Sequence, residues 1–343
     1  MRKKGLDLLR AIAVILVLFR HSNLDHSSLK DFGWLGVDLF FVLSGFLISG
    51  LLFKEYKAHN SINIKRFLIR RSFKIFPPFY FFLLTTLSLN YFYGIQHDWI
   101  KIVSELFYLQ SYAPTIWIHT WSLAVEEHFY LSFSIIMCSL SRKKWVHKKK
   151  YFIGSLLFLI LFSFLIRLEA SYPHRYDAYF SFLKTHLRAD GILMGVLLSY
   201  LYHFTNWTNH LRRNKSISLL ISLLLISPGL YFKAGSFFMN TLGLTSVNLG
   251  FAGLVFLSLD IEQYLEHRIF KYLKLPIELF CFIGINSYSI YLWHMNSKKI
   301  IYTSFDYSPS VLLFLYLLLS IFLGILMSYL IEKTSLKLRD SLF

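Results

Sequence analysis

Long apolar runs separated by short basic connections dominate the chain. Residues 309–331 carry no charged side chain, and neither do residues 243–259. A helix that crosses a bilayer needs about 20 mostly apolar residues. Segments of that kind fall at 6–22, 33–53, 75–94, 121–140, 151–167, 187–204, 216–232, 238–258, 278–298 and 310–331. The runs are continuous and do not alternate with period two, which argues against a β-barrel. Residues 95–120 form a weaker, aromatic stretch with Asp98, Pro114 and His119, expected to be interfacial or re-entrant. The pattern predicts an all-α polytopic membrane protein. It is a bundle of about ten transmembrane helices forming one domain over residues 1–343.

Composition agrees. Hydrophobic residues make up 55% of the 343 and charged residues 16%, against roughly 25% charged in soluble proteins. The formal charge of +17 changes the picture only through its placement. With the N-terminus inside, 25 of the 36 Lys and Arg residues fall in inner connections and 8 in outer ones. That bias predicts both termini on the cytoplasmic side. It also accounts for the charge without nucleic acid, for which no motif is present. Cys138 and Cys281 lie far apart in apolar runs, so neither a disulfide framework nor a metal site is expected. The first apolar run ends in Arg20-His21-Ser22-Asn23, unlike a signal-peptide cleavage site, and is read as a retained helix.

Charged groups inside membrane helices are costly and usually face the bundle interior. Arg10 and His21 bracket the first run. Eleven residues at about 100° each come to three turns plus about 20°, so the two share a face, about 16.5 Å apart. Asp38 is the one charge in GWLGVDLFFVLSGFLISGLLF and is placed to orient the His21 imidazole. In the same run Ser44-Gly45 and Ser49-Gly50 are expected to let helices pack closely. Arg66, Arg70, Arg71 and Lys74 sit just inside the membrane in KRFLIRRSFKIFPPFY, with Pro77-Pro78 opening the next helix. This stripe fits anionic lipid or a polyphosphate ligand. In TWSLAVEEHFYL, Ser122, Glu126 and Tyr130 share a stripe and Glu126 is placed inward, with Glu127 at an interface. Arg188 and Asp190 stand at the outer end of the sixth run, as an ion pair or an anchor. Ser287, Tyr291 and His294 share a face in INSYSIYLWHMN.

Five segments together resemble the acyltransferase-3 family of membrane O-acyltransferases: LRAIAVILVLFRHS, GVDLFFVLSGFLISG, RRSFKIFP, TWSLAVEEHFYL and SYSIYLWH. They occur in the family's order and spacing across essentially the whole chain. The family's Arg, ten residues, His pattern is matched by Arg10 and His21, and that His is regarded as essential there. Its Arg-rich motif is matched by Arg70 and Arg71, with Lys74 where Arg is usual. Lys keeps the charge and loses the bidentate fork. The Trp-Ser-Leu…Glu motif falls on Trp121, Ser122, Leu123 and Glu126. In some members a soluble esterase-like domain follows the last helix. This sequence runs about a dozen residues past its last apolar segment, so transfer is expected within the bundle or on a partner.

The resemblance implies acyl-CoA, most often acetyl-CoA, as donor, and a carbohydrate or lipid-linked glycan such as O-antigen as acceptor. It implies the bacterial cytoplasmic (inner) membrane as location. An anionic cofactor entering from the cytosol would meet Arg66, Arg70, Arg71 and Lys74, with Arg10 just above. His21 would act as general base or as acyl carrier, and Glu126 or Asp38 would fix its tautomer. Trp121, Ser122, Tyr130, Arg188, Ser287, Tyr291 and His294 are the expected substrate-binding set. The outer segment 168–186 is the expected place for acceptor contacts. A proton-coupled transporter or flippase is the competing reading; broken helices and an inverted repeat would favour it, and neither is visible in the sequence.

Overall fold

The computed structural model describes residues 3–23, 28–172, 182–207, 213–265 and 272–342. Among these residues the regular elements are helices, with no strand. All ten apolar segments are helical. In chain order the main helices are α1 (Lys4–His21), α2 (Leu35–His59), α3 (Ile64–Phe92), α4 (Trp99–Leu106), α5 (Trp121–Arg142), α6 (Lys149–Ala170) and α7 (Thr185–Phe204). They continue as α8 (Lys215–Ile226), α9 (Leu244–Ser258), α10 (Lys274–Ile285), α11 (Ser287–Ser304), α12 (Pro309–Met327) and α13 (Lys333–Leu342). Among the described residues, six helical segments are long and apolar enough to cross a bilayer, or seven when α10 and α11 count as one bent span. Helices α1 and α7 carry charged residues within their continuous spans: Asp7 and Arg10 in one, Arg188 and Asp190 in the other.

Helices α2 and α7 cross in close backbone contact. A Cβ on Gly45 would lie 2.0 Å from the Ile192 carbonyl oxygen, and one on Gly195 would lie 2.1 Å from that of Val42. The two glycines face each other, so the backbones meet at a distance no side chain permits. The Ser44-Gly45 pair therefore divides its work. Gly45 sets the crossing, and Ser44 turns toward α5.

Two expectations about boundaries are corrected. The basic segment before Pro77-Pro78 is not a connection. It is the first part of one 29-residue helix, α3, capped by Asn63, whose Oδ1 accepts from Arg66 N at 2.9 Å. Pro77 has no N–H for the Phe73 carbonyl four residues earlier. Ser335 of α13 supplies the missing donor, Oγ to Phe73 O at 2.6 Å. The ninth apolar segment is not straight either. It bends by 77° between α10 and α11. At the bend, Asn286 is buried and its Nδ2 donates to Phe282 O at 2.8 Å, so a side chain takes over a terminal carbonyl of α10. Residues 95–120 do not make a further span. They form α4 and a turn-rich return to a short helix at Ile118–Thr120.

Candidate active site

A cavity of about 1070 Å³ enters the bundle between α1, α2, α3, α5 and α11, closed along one side by the π-turn Ser328–Glu332. Nine Lys and Arg side chains line it against four Asp and Glu. Arg66, Arg70, Arg71, Lys74 and Arg10 are among the nine. Because α3 runs unbroken, Arg66, Arg70 and Lys74 are a true i, i+4, i+8 stripe on one wall. The volume stands at the upper end of small-molecule sites, and the charge suits a polyanion.

Arg71 is firmly anchored in the wall. Its Nη2 lies 3.9 Å from Glu126 Oε2 and 3.7 Å from Glu127 Oε1, and its guanidinium lies over the Tyr130 ring at 4.1 Å. Both carboxylates straddle one cation, so Glu127 backs Arg71 within the bundle, although it does not itself line the cavity. Glu126 accepts from Ser44 Oγ at 2.5 Å and lies within electrostatic reach of Arg10. It therefore belongs to the cation wall and does not orient His21.

The cavity ends at a pair of hydroxyls. Tyr291 Oη donates to His119 O at 2.7 Å and lies 2.6 Å from Ser122 Oγ. Its one proton is committed to the carbonyl, which leaves Ser122 as donor between the two hydroxyls. Both residues line the cavity, as does the fully buried Ser287 one turn before Tyr291. His21 does not line it. The common face of Arg10 and His21 is thus corrected in one respect. Arg10 looks into the cavity, whereas His21 stands beyond its floor, half-buried, toward the opposite end of the bundle.

Three imidazoles occupy that far side. His294 Nε2 lies 3.2 Å from His21 Nδ1, and the His294 and His119 ring centres are 4.8 Å apart. Their tautomers follow from their partners. His294 Nδ1 is 2.6 Å from Tyr291 O, and His21 Nδ1 is 3.1 Å from Val17 O. A carbonyl only accepts, so each Nδ1 carries hydrogen in the neutral ring. His294 Nε2 then presents a lone pair toward His21 Nδ1–H, and His21 Nε2 is left as the basic, nucleophilic nitrogen. The three rings do not converge in a geometry that would hold a metal ion.

The profile of a family described as an acyltransferase domain matches residues 3–333. The chain belongs to this family of acyltransferases. "Putative O-acetyltransferase SACOL0978" of Staphylococcus aureus (strain COL) is 30% identical over 323 residues, covering 84% of this chain and 50% of the relative. Peptidoglycan O-acetyltransferase OatA of Listeria monocytogenes serovar 1/2a is 28% identical over 321 residues, covering 84% and 48%. O-acetyltransferase OatA of Staphylococcus aureus (strain NCTC 8325 / PS 47) is 28% identical over 309 residues, covering 84% and 49%. The chain spans about half the length of these relatives. No solved structure matches it.

Against this acyltransferase background, three expected site residues form a separate cluster. Asp38 does not face His21. Its Oδ1 accepts from Arg188 Nη2 at 2.7 Å, and both side chains are fully buried between α2 and α7. The Arg188 guanidinium also lies over the rings of Phe182 at 4.2 Å, Trp121 at 5.5 Å and Phe41 at 5.6 Å. Arg188 and Trp121 are therefore built into this cation–aromatic stack and do not line the cavity. Beside it, Arg167 pairs with Asp190 at 2.8 Å. Of the outer segment 168–186, residues 173–181 lie outside the described residues.

Sequence reasoning missed three polar residues. His119 was hidden in the aromatic stretch 95–120, with no periodic helix to give it a face. Glu105, fully buried, organises the loop that carries His119. Its Oε1 accepts from Thr115 Oγ1 at 2.5 Å and from the Ile116 and Trp117 amides at 3.2 Å each. Its Oε2 accepts from Gln110 Nε2 at 2.7 Å. Glu332 at the end of the last apolar run lines the cavity and accepts from Ser289 Oγ at 2.8 Å. Its signal was a lone carboxylate directly after a 23-residue uncharged run.

Proposed function

We propose that the protein is an integral-membrane O-acyltransferase. It moves an acyl group, typically acetyl, from acyl-CoA to a hydroxyl of a carbohydrate or lipid-linked glycan. The carrying observation is the arrangement along the bundle axis. A cationic cavity opens at one end and closes on the Ser122–Tyr291 hydroxyls, with the His294–His21 pair directly behind them. In this reading all ten apolar helical segments cross the bacterial cytoplasmic membrane and both termini are cytoplasmic. The CoA phosphates then meet Arg66, Arg70 and Arg71 on the inner side, and the acceptor meets His21 on the outer side.

The thioester end of the donor reaches the hydroxyl pair. Transfer to the His21 side requires the Ser122–Tyr291 contact to open. Two routes balance. As general base, His21 Nε2 takes the acceptor hydroxyl's proton while that oxygen attacks the thioester carbonyl; the C–S bond breaks and CoA leaves as a thiol after protonation. As nucleophile, Nε2 attacks the thioester carbonyl, the C–S bond breaks and CoA leaves as thiolate; the acyl group then passes from Nε2 to the acceptor oxygen, and the hydroxyl's proton neutralises the thiolate. Relatives named O-acetyltransferase support the reaction class. The break at Asn286 is a feature of transporters as well, but the acyltransferase family match spans the whole bundle.

Purified protein in lipid nanodiscs, supplied with labelled acetyl-CoA and a glycan acceptor, should release CoA and label the glycan. His21→Ala should abolish both while the protein still inserts and elutes as a folded species. Unchanged turnover in that variant overturns the assignment.

A further inference from the structure

Glu332 is a buried carboxylate that the acyl-transfer scheme leaves without a task, yet it lines the cavity from the π-turn Ser328–Glu332. Such a turn holds one residue more than an α-helical turn, and insertions of this kind recur at functional sites. Both hydroxyls that bind Glu332 share one of its oxygens. Oε2 accepts from Ser289 Oγ at 2.8 Å and from Ser328 Oγ at 3.3 Å. Oε1 accepts from neither and is left to the cavity. Neighbouring donors are engaged elsewhere. Tyr288 Oη donates to Ile75 O at 3.0 Å, Arg71 is held by Glu126 and Glu127, and Lys333 Nζ lies 3.1 Å from the centre of the Tyr329 ring.

Depth follows from helix register. Ser289 is two residues before Tyr291 on α11, about 3 Å along the axis, so the Glu332 carboxylate stands close below the Ser122–Tyr291 floor. The Tyr288–Ile75 bond sets α3 against α11. Arg70 and Arg66 lie earlier on α3 than Ile75, about 7.5 and 13.5 Å nearer the mouth. A carboxylate repels phosphate and accepts strongly from N–H. The phosphates of a bound donor therefore belong beside Arg66 and Arg70, and the wall at Glu332 suits an uncharged arm that carries a hydrogen-bond donor. In acyl-CoA that arm is pantetheine, and its N–H nearest the sulfur belongs to the cysteamine amide. Resting on the acyl-CoA reading, we infer that Glu332 Oε1 accepts this N–H and fixes the depth at which the thioester stops below the hydroxyl floor.

The test is a binding titration of the full chain in nanodiscs, without acceptor. The probes are acetyl-CoA and an analogue whose cysteamine amide is an ester, so that one N–H becomes an oxygen with no added bulk. The unaltered protein is expected to bind acetyl-CoA at least ~10-fold tighter than the ester, the scale of a hydrogen bond to a charged acceptor. Glu332→Leu should abolish the preference. Glu332→Gln, which keeps the shape and one acceptor oxygen but not the charge, should lower it at least ~3-fold. Glu278→Gln, which alters a carboxylate paired with Lys4 at the surface, should leave it intact. Equal binding of the two probes by the unaltered protein overturns the inference. So does a Glu332 variant that weakens both probes by the same factor, the result of a purely structural role. A second analogue carries the ester at the other pantetheine amide. If the Glu332 variants change the preference there and not at the cysteamine amide, the assigned depth is wrong and the inference falls. Failure of the acyl-CoA reading itself is distinguishable, because the unaltered protein would then bind neither acetyl-CoA nor its analogues.

Discussion

His294 Nε2 stands 3.2 Å from His21 Nδ1, so an imidazole, and not Asp38 or Glu126, backs the candidate catalytic histidine. His294 is itself fixed by the Tyr291 carbonyl and is fully buried. It is a positioning residue: it holds the His21 tautomer that exposes Nε2. His294→Ala should lower kcat by about 100-fold, the scale of a general-base contribution, with little change in the KM for acyl-CoA. His294→Gln keeps an oxygen acceptor and should recover part of that loss. Steady-state kinetics decide; equal loss in both variants would mean that His294 only fills space.

Arg71 is held by two carboxylates and the Tyr130 ring, which gives it a single orientation toward the cavity. Arg71→Lys keeps the charge and loses the planar contacts. The expected outcome is a KM for acyl-CoA raised about 10-fold with kcat nearly unchanged, the signature of lost ground-state binding. A fall in kcat at constant KM would place Arg71 in the chemical step.

The Asp38–Arg188 pair behaves differently. Both groups are buried, so removing one strands the other, at a cost of about 3–5 kcal/mol. Asp38→Asn and Arg188→Met should each lower the thermal midpoint in detergent sharply. The double variant should be more stable than either single one. Simple additivity of the two losses would show that the pair is not coupled.

Gly45 and Gly195 permit the α2–α7 crossing, where added Cβ atoms would fall 2.0 and 2.1 Å from backbone oxygens. Gly45→Val should prevent recovery of folded protein from the membrane. Gly50→Ala, where the nearest atom to a new Cβ is 3.3 Å away and belongs to the Ser199 side chain, should be tolerated. Normal yield of Gly45→Val would contradict the observed crossing.

What was legible in the sequence depended on period and on isolation. Each of the ten apolar runs falls on a helix, although the runs gave no signal for α4 or α13, and the i, i+4 stripe of Arg66, Arg70 and Lys74 survives because α3 is continuous through its prolines. Ionisable groups within or at the ends of apolar runs, Arg10, His21, Asp38 and Glu126, are all in the bundle interior or at its mouths. Partnership was not legible. Asp38 meets Arg188 across 150 positions, and His21 meets His294 across 273. Such pairings follow from helix order in the bundle, which periodicity does not encode. The bend at Asn286 also escaped, because it rests on one side chain taking over a carbonyl. Glu105 and His119 were obscured for a related reason: a buried loop held by side-chain hydrogen bonds has no repeating pattern.

The central claim is that donor and acceptor meet from opposite ends of one bundle, across the Ser122–Tyr291 floor and through His21. Sealed proteoliposomes with known protein orientation test it directly. Labelled acetyl-CoA is confined to the side of Arg66 and Arg71 and a glycan acceptor to the side of His21. The account predicts acetylated glycan in the acceptor compartment, CoA in the donor compartment, and neither with His21→Ala. Acetylated product that forms only when donor and acceptor share one compartment would contradict it.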